Sequence, residues 1–510
     1  MYNRPFFMTH RSRPTLVLAA NVVAIIVATS TSALSQIPQA LIDHQPSIAV
    51  TKQTGTFGGQ TVAYTTIVEE NILKGADSVP NAFLVTIAYV RDGVSDQAKR
   101  PVAFVFNGGP GASSSPLHFN GIGPRVADRG TVVNNPHSIL DAVDLVFVDP
   151  VGTGFSRPYT TEIGRQFYWN LNGDAASVKE VVARWLKTHR REASPRYLIG
   201  ESYGATRISA ILRNHKDLKF DGVVLISALG GNPPQPYVAY ARNLPSMAVS
   251  AWYHEKVPRA GRSVGQMWNE AVAFATSEYT AALARGDSLP VDEKNRVAER
   301  LSSFTGLPTE FILEKKLKLS PQDWLMNILK DKGLRVSNQD TRATGPLVLT
   351  AEQAAASSPA EGLGGTRIGT AMRAPALVPG SPEAAATAAA ERTLSPLENY
   401  LRSELQFKTP ESYRSLNLDI NSFWSFNGIG TFDPAPGVAE GMRANQSMRM
   451  FWIQGYYDLN TPAYAALASY EQAGLTGERV SGMMAPGPHT AFATDETKQL
   501  LSAALRTWIR

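Results

Sequence analysis

Short apolar runs recur along the first half of the chain, each followed by polar or turn-forming residues. Four such runs lie at residues 102–106, 145–148, 197–199 and 223–226. Runs of this length predict strands that are buried on both faces of a mostly parallel sheet. Helical patterns occupy residues 175–189 and 205–215, between successive runs. Because strands and helices alternate, the pattern indicates an α/β core.

Two alternating segments precede these runs. Residues 61–68 and 82–90 alternate between apolar and polar positions, and the turn-forming sequence GADS separates them at residues 75–78. This pattern predicts an antiparallel start to the sheet. Strand-like runs return at residues 448–454 and 479–484. A last helix is predicted over residues 493–508.

The pattern changes after about residue 255. Residues 261–332 are largely helical in pattern, whereas residues 350–396 are rich in alanine, serine, proline and glycine. The second stretch is expected to be a flexible loop, because it has few large apolar residues with which to pack. We therefore predict one α/β core formed by residues 36–255 and 397–510. A mainly helical cap over residues 256–396 interrupts it.

Composition limits the possible functions. The 510 residues are 43% apolar and 18% charged, which excludes a disordered chain. Lysine plus arginine exceed aspartate plus glutamate by five, 49 against 44, and the basic residues are scattered, so nucleic acid is not an expected partner. There is no cysteine, which excludes disulfides, zinc-thiolate sites and a cysteine nucleophile.

The first 35 residues have the pattern of a signal peptide. A basic start with Arg4, Arg11 and Arg13 is followed by an almost wholly apolar run at residues 16–28 and by a small-x-small pattern before Gln36. The apolar run is shorter than the roughly 20 residues that a membrane-spanning helix needs. An uncleaved membrane anchor is the alternative interpretation. The prediction is an exported protein, periplasmic or secreted, without a stable anchor after cleavage.

The strongest local motif is GESYG at residues 200–204. It follows the strand predicted at residues 197–199 and precedes a helical pattern, which is the context of a nucleophile elbow. In such an elbow, flanking glycines permit a sharp turn that lifts the serine hydroxyl clear of the sheet. Ser202 is therefore the predicted nucleophile.

A serine nucleophile needs a base and an acid, which follow it along the chain in the order acid, then histidine. Three histidines follow Ser202: His215, His254 and His489. We predict His489 as the base, because it lies in a loop directly after the strand at residues 479–484.

The acid is expected just after an earlier strand. Asp458 meets this condition, because it follows the strand at residues 448–454. Asp495 is the alternative, although it lies after His489 and within the last helical pattern. We predict Asp458 as the acid, where it would orient the imidazole and stabilise the imidazolium.

Glycine-rich backbone follows another strand. Residues 102–106 run directly into NGGPG at residues 107–111, where backbone N–H groups could approach a substrate oxygen closely. A phosphate-binding loop is the alternative, but the Lys-Ser/Thr pair of such a loop is missing. The sequence therefore predicts an oxyanion hole here.

Three motifs together resemble the serine carboxypeptidase family. They are NGGPG at residues 107–111, DPVGTGFS at residues 149–156 and GESYG at residues 200–204, and GYYD at residues 455–458 extends the match. The resemblance spans the chain from about residue 55 to its end and is weakest in the insertion. It implies an α/β-hydrolase fold and a reaction without metal or cofactor. The lack of the cysteines typical of eukaryotic members favours a bacterial-type exported member.

The resemblance also implies roles for the residues around the serine. The backbone amides of Gly109 and Tyr203 would form the oxyanion hole. The Asn107 side chain, the Gly108 amide and the Glu201 carboxyl group would bind the free C-terminal carboxylate of a peptide. Because a carboxyl group beside another carboxylate resists ionisation, Glu201 is expected to be protonated. This predicts peptidase activity that is strongest at acidic pH.

The predicted function is that of a serine-type carboxypeptidase that releases C-terminal residues from peptides through an acyl-enzyme. Relatives with this fold also act as acyltransferases or esterases, and the motifs do not separate these activities. A non-catalytic binding protein is the third interpretation, against which the complete set of Ser202, Asp458 and His489 argues.

Overall fold

The computed structural model describes residues 37–348, 396–426 and 432–509. The predicted signal peptide lies outside these residues. All but the last residue of the segment predicted to be flexible, residues 350–396, lies outside them as well.

A ten-stranded sheet forms the centre of the molecule. The described residues form fourteen strands, of which ten belong to this sheet. They are β1 Ile48–Phe57, β2 Gln60–Lys74, β3 Pro80–Arg91, β4 Val102–Phe106, β5 Arg125–Asp128, β6 Thr131–Asn134, β7 Asp144–Asp149, β8 Arg157–Pro158, β9 Arg196–Glu201, β10 Gly222–Ile226, β11 Leu334–Val336, β12 Thr344–Pro346, β13 Arg449–Gly455 and β14 Val480–Ala485. The order in the large sheet is β1-β2-β3-β7-β4-β9-β10-β13-β14, and β8 pairs with β3. Two small hairpins, β5-β6 and β11-β12, lie apart from it.

The sheet is parallel from β7 to β14 and antiparallel at its other end. β7, β4, β9, β10, β13 and β14 run parallel in that spatial order. β1, β2 and β3 pair antiparallel, and β3 also meets β7 antiparallel. Every position of β4, β7 and β10 is buried, as their continuous apolar sequences predict. The predicted α/β class, with a mostly parallel sheet, is confirmed.

Helices flank the sheet and occupy much of the described part of the predicted insertion. They are Gln39–Ile42, Ser115–Phe119, Thr161–Ile163, Leu171–Thr188, Tyr203–Asn214, Val238–Tyr253, Val264–Phe274, Thr280–Arg285, Val291–Thr305, Thr309–Glu314, Pro321–Asn327, Pro396–Asn399, Leu418–Phe423, Ala435–Ala444, Ala463–Gln472 and Asp495–Ile509. Single π-helical turns occur at Gly164–Tyr168, Ala275–Tyr279 and Tyr400–Glu404, and 3₁₀ turns at Gly286–Ser288 and Lys330–Lys332. Among the described helices, none is long and apolar enough to cross a membrane.

Two clusters of buried apolar side chains are present. The first lies on both faces of the large sheet. The second is built from the helices between Val238 and Asn327, and it includes Tyr457 and Leu459 from the segment after β13. The helices of the second cluster therefore pack directly against the chain on either side of Asp458. The predicted division of the chain at residues 255 and 396 stays a prediction.

Candidate active site

Ser202 lies in a sharp turn between a strand and a helix. β9 ends at Glu201 and the helix Tyr203–Asn214 begins one residue after the serine, whose φ of 57° lies in the left-handed region. Such backbone strain in a non-glycine residue is typical of functional sites. The Ser202 N–H donates to the carbonyl of Ile226 at the end of β10 (2.8 Å), which ties the turn to the neighbouring strand.

Two glycines make this turn sterically possible. A Cβ atom on Gly200 would lie 2.6 Å from the carbonyl carbon and oxygen of Gly204. A Cβ on Gly204 would in turn lie 3.0 Å from the carbonyl oxygen of Phe106, on the neighbouring β4. The strand, turn and helix lie where the GESYG motif predicts them, and the backbone crowding explains its glycines.

Asp458 and His489 meet at the ends of two neighbouring strands. β13 ends three residues before Asp458 and β14 ends four residues before His489. Nδ1 of His489 donates to Oδ2 of Asp458 over 2.8 Å, and both residues are buried. Asp495, by contrast, pairs with Lys498 on the last helix, and its side chain is 88% exposed. The structure thus brings Asp458 to His489.

The other two histidines that follow Ser202 are engaged elsewhere. His215 ends the helix Tyr203–Asn214, and Nε2 of His254 donates to the carbonyl of Thr341 over 2.6 Å. His489 is therefore the histidine that contacts a buried carboxylate at the end of the sheet.

Asp458 is held by several donors besides the imidazole. Its Oδ1 accepts the backbone N–H groups of Asn460 and Thr461, each over 2.8 Å. The hydroxyl group of Thr461 donates to Oδ2 over 2.5 Å and lies 3.0 Å from Nδ1 of His489. These donors hold the carboxyl group in place, with its Oδ2 beside Nδ1 of His489. Thr461 was not predicted, because a threonine three residues after an aspartate has no distinguishing sequence pattern.

β10 links the serine to the histidine. The carbonyl of Ile226 accepts the Ser202 N–H, and the hydroxyl of the next residue, Ser227, donates to the carbonyl of His489 over 2.6 Å. Within the described residues, the Ser202 hydroxyl and the His489 ring are not hydrogen-bonded to each other. Catalytic hydrogen bonds of this kind are often long in the free enzyme and shorten when substrate binds.

The glycine-rich loop after β4 packs against the elbow. A Cβ atom on Gly108 would lie 2.5 Å from the backbone nitrogen of Tyr203 and 2.8 Å from the carbonyl oxygen of Glu201. Gly109 has a φ of +102°, a conformation that favours glycine. The predicted oxyanion residues Gly109 and Tyr203 therefore lie on two segments in direct backbone contact.

Asn107 and Glu201, both predicted to bind a substrate carboxylate, contact each other. The Asn107 amide donates to Oε2 of Glu201 over 3.0 Å, and its Oδ1 accepts the backbone N–H of Leu117 over 3.0 Å. Both side chains are buried. The hydrogen bond from Leu117 thus orients the Asn107 side chain, so that its amide N–H group faces the Glu201 carboxyl group.

The electrostatics of Glu201 and His489 are linked. Burial raises the pKa of Glu201 to about 7, although the His489 charge and the Asn107 hydrogen bond oppose that rise. Burial on its own would lower the pKa of His489, but the charge and hydrogen bond of Asp458, together with Glu201, leave it raised. Glu201 is therefore mostly neutral at acidic pH, and burial is the main cause.

A buried ion pair joins the two sides of the site. Oδ2 of Asp174 accepts the Tyr203 hydroxyl and Nε of Arg207, each over 2.7 Å, and Nη1 of Arg207 donates to the carbonyl of Asn107 over 2.8 Å. The guanidinium thus connects the elbow helix to the oxyanion loop. Sequence reasoning missed this pair because Asp174 and Arg207 lie on different helices, 33 residues apart.

The DPVGTGFS motif surrounds a buried aspartate. Oδ1 of Asp149 accepts the backbone N–H and the hydroxyl of Ser114, which lies just beyond the oxyanion loop. A Cβ on Gly154 would lie 1.9 Å from Oδ2 of the same aspartate. The motif therefore supports the loop that carries Gly109.

Comparison with known proteins relates part of the chain to one family. A family model described as serine carboxypeptidase matches residues 89–284. This segment of the chain is similar to the serine carboxypeptidase family. Asn107 and Ser202 lie inside the segment that matches the serine carboxypeptidase model, whereas Asp458 and His489 lie outside it. The pairing of Asp458 with His489 is therefore supported by the geometry of the site and not by the family match.

Curated serine carboxypeptidases show partial similarity. The chain is 32% identical to serine carboxypeptidase-like 36 of Arabidopsis thaliana over 145 residues, which cover 26% of this chain and 28% of that protein. It is 33% identical to a pheromone-processing carboxypeptidase of Debaryomyces hansenii over 130 residues, which cover 24% and 18%. The matches span less than a third of the length of these relatives.

A solved structure supports the fold assignment. A prohormone-processing carboxypeptidase from Saccharomyces cerevisiae aligns with a TM-score of 0.50 at 13% identity, covering 87% of this chain and 90% of that one. At this level of identity the similarity concerns the fold alone. The serine carboxypeptidase segment described here therefore lies within an α/β-hydrolase fold.

Proposed function

We propose that this protein is a serine carboxypeptidase that hydrolyses the C-terminal peptide bond of peptides through an acyl-enzyme. The observation that carries the proposal is the buried Glu201 carboxyl group, which is hydrogen-bonded to Asn107 and adjoins the nucleophile. A neutral carboxyl group beside the nucleophile can donate a hydrogen bond to the carboxylate of a peptide's last residue.

In the proposed reaction the Ser202 hydroxyl attacks the carbonyl carbon of the last peptide bond while Nε2 of His489 accepts its proton. Asp458 holds the imidazole by its Nδ1 and stabilises the imidazolium. The backbone N–H groups of Gly109 and Tyr203 stabilise the negative charge on the carbonyl oxygen. The protonated His489 then gives its proton to the leaving amine, and the C-terminal amino acid departs. Water, deprotonated by His489, hydrolyses the acyl-enzyme and regenerates Ser202.

Recognition of the substrate's C-terminal carboxylate is assigned to Asn107, Gly108 and Glu201. Amide groups of the first two donate hydrogen bonds to the substrate carboxylate, and a neutral Glu201 donates a third. When Glu201 ionises, the donor is lost and two like charges face each other in a buried site. Peptide binding should therefore weaken as the pH rises through the pKa of Glu201.

The test is the KM of a blocked dipeptide across a pH series for wild type and Glu201→Gln. Because only the neutral form binds well and the pKa is about 7, the wild-type KM should rise about tenfold from pH 6 to pH 8. Glu201→Gln keeps a donor at every pH, so its KM should stay flat. Its kcat should change less, because Ser202, His489 and Asp458 are intact.

The matched control uses the C-terminal amide of the same dipeptide, which has no carboxylate for Glu201 to bind. The KM of this amide should not show the pH dependence expected for the dipeptide with a free carboxylate. Superimposed KM curves for wild type and Glu201→Gln would remove the carboxylate-binding role of Glu201. Hydrolysis of a simple ester without hydrolysis of either dipeptide would instead identify an esterase.

We also propose that the protein is exported, to the periplasm or out of the cell, after cleavage before Gln36. The proposal is supported by the basic start, the short apolar run and the small-x-small pattern of the first 35 residues. Mass spectrometry of the protein from its native source should give a mature N-terminus near Gln36. An intact Met1 on soluble cytoplasmic protein would contradict export.

A further inference from the structure

A loop from the helical insertion lies against both segments that carry the proposed acid and base. It comprises residues 337–343, between β11 and β12, and we refer to it as the hairpin loop. Its ends are joined by a hydrogen bond from the Ser337 N–H to the carbonyl of Ala343 over 3.0 Å. β11 and β12 pair antiparallel, and Val336 faces Thr344 at the base of the loop.

The hairpin loop holds the backbone on either side of Asp458. The N–H of Thr341 donates to the carbonyl of Tyr457, and the N–H of Leu459 donates to the carbonyl of Asn338, each over 3.0 Å. Tyr457 and Leu459 are the immediate neighbours of Asp458. The backbone on both sides of Asp458 is therefore hydrogen-bonded to this loop.

The same loop holds the segment that carries the base. The N–H of His489 itself donates to the carbonyl of Gln339 over 2.8 Å. Nη1 of Arg342 donates to the carbonyl of Pro486 over 3.3 Å. Arg342 is oriented by Asp340, with bonds of 2.8 and 2.9 Å, and its guanidinium lies 4.8 Å from the centre of the Tyr457 ring.

The hairpin loop is itself anchored to the helix Val238–Tyr253 and to the residue that follows it. The hydroxyl of Thr341 lies 2.5 Å from that of Ser250, and its carbonyl accepts a hydrogen bond from His254 over 2.6 Å. Thr341 and Ser250 are fully buried. Since Ser250 belongs to the helix Val238–Tyr253, the loop connects that helix to the acid and base segments.

We propose that the hairpin loop is a positioning element of the catalytic site, which holds the Asp458 and His489 segments at the separation that proton transfer requires. The proposal rests on the proposed function, in which these two residues activate Ser202. Acid and base come from the ends of different strands and share a single side-chain hydrogen bond. Bridging backbone bonds from a third element restrict their relative movement, and a displacement of about 1 Å can cost about a hundredfold in rate.

The test replaces residues 337–343 with an Asn-Gly dipeptide. A two-residue turn of this type suits an antiparallel hairpin, so β11 and β12 should still pair while the bridging bonds are lost. A milder variant, Arg342→Met, removes the bond to Pro486 and keeps the backbone bonds. Arg285→Met is the matched control, because Arg285 forms an ion pair with Glu293 of 2.7 Å on the same insertion.

Three measurements are made on each full-length variant: the rate at which a serine-directed fluorophosphonate labels Ser202, kcat and KM for a blocked dipeptide, and amide hydrogen exchange of Leu459 and His489. In the shortened variant, labelling and kcat should fall about a hundredfold while KM changes little. Both amides should exchange faster. Arg342→Met should lose about tenfold in kcat, and Arg342→Lys should recover part of it. The control should stay within about twofold of wild type.

The outcomes separate this proposal from the proposed function. Wild-type labelling and kcat in the shortened variant, or unchanged exchange at Leu459 and His489, would overturn the positioning role. If the shortened variant does not fold, a wild-type kcat in Arg342→Met, with unchanged exchange at His489, would overturn it. If the wild-type protein is labelled but cleaves no peptide, the carboxypeptidase proposal fails. The labelling rate of the shortened variant, compared with that of wild type, then still tests the positioning role of the loop. If wild type is not labelled at all, the assignment of Ser202 as nucleophile fails. Hydrogen exchange at Leu459 and His489 then tests whether the loop holds these two segments.

Discussion

Alanine at Ser202 or His489 is expected to lower kcat by about 10⁵–10⁶-fold, and alanine at Asp458 by about 10⁴-fold. The reason is that the three groups act as one unit. The hydroxyl is a weak nucleophile without the imidazole, and the imidazole loses its tautomer and orientation without the carboxylate 2.8 Å from Nδ1. Double variants should therefore lose little more than the worse single variant. The measurement is kcat on a blocked dipeptide, with a thermal melt to verify folding.

Asp495→Ala is the matched control for this series. Asp495 is the other aspartate near His489 in sequence, but its exposed side chain pairs with Lys498. Its replacement should change kcat by less than about twofold. A fully active Ser202→Ala enzyme would end the proposal, and a strong loss in Asp495→Ala with an active Asp458→Ala would reassign the acid.

The pH behaviour follows from two opposite requirements. In the proposed reaction, carboxylate recognition needs a protonated Glu201, whereas proton abstraction needs a neutral His489. Since each group acts on the other's pKa, the pair titrates as a coupled system. When the two groups hold one proton in total, that proton can lie on Glu201, which leaves both groups neutral, or on His489, which leaves both charged. The neutral pair can bind and cleave the peptide, and the charged pair cannot. The kcat/KM profile should therefore have two limbs, with His489 protonation on the acid side and Glu201 ionisation on the alkaline side.

The parts of the fold that sequence predicts best are those where local pattern and burial coincide. β4 and β10 were predicted to the residue or nearly so, because strands buried on both faces leave continuous apolar runs. β1 was missed: it is an edge strand whose side chains are exposed or half-buried at all positions except Phe57. Its polar sequence is stabilised by pairing with β2, a contact that local pattern does not contain.

The helix Val238–Tyr253 was missed for a related reason. It contains Pro245, which local propensity disfavours, yet it packs within the second apolar cluster. Tertiary packing outweighs the propensity here.

In the candidate site, the turns were predictable and the long-range contacts were not. The elbow and the oxyanion loop have glycines at positions where a side chain would collide with backbone, and such constraints are visible as motifs. The hairpin loop, in contrast, makes its contacts through backbone atoms of residues such as Asn338 and Gln339. Backbone bonds leave little trace in side-chain identity, so neither the contact with Leu459 nor that with His489 could be predicted.

Gly455 offers the second large effect, because it is the point where the acid strand touches the base loop. A Cβ atom on Gly455 would lie 2.4 Å from the carbonyl oxygen of Pro488 and 2.6 Å from that of Gly487. Both distances are shorter than the contacts that Cβ atoms make in real structures. The Gly487 carbonyl also accepts the Tyr457 N–H over 3.1 Å, so it cannot turn away without losing that bond. In Gly455→Ala the loop before His489 must therefore move.

We expect Gly455→Ala to lower kcat by at least about a hundredfold, because displacement of His489 by about 1 Å misaligns proton transfer. The free energy of unfolding should fall by about 1–3 kcal/mol, as in other overpacked sites. Gly265→Ala is the matched control: its nearest contact would be the Tyr456 hydroxyl at 3.5 Å, and it lies in the helix Val264–Phe274. That variant should keep wild-type kcat and gain up to about 1 kcal/mol in stability, since alanine is favoured over glycine in helices. Wild-type kcat in a folded Gly455→Ala protein would show that the position of His489 does not depend on this contact.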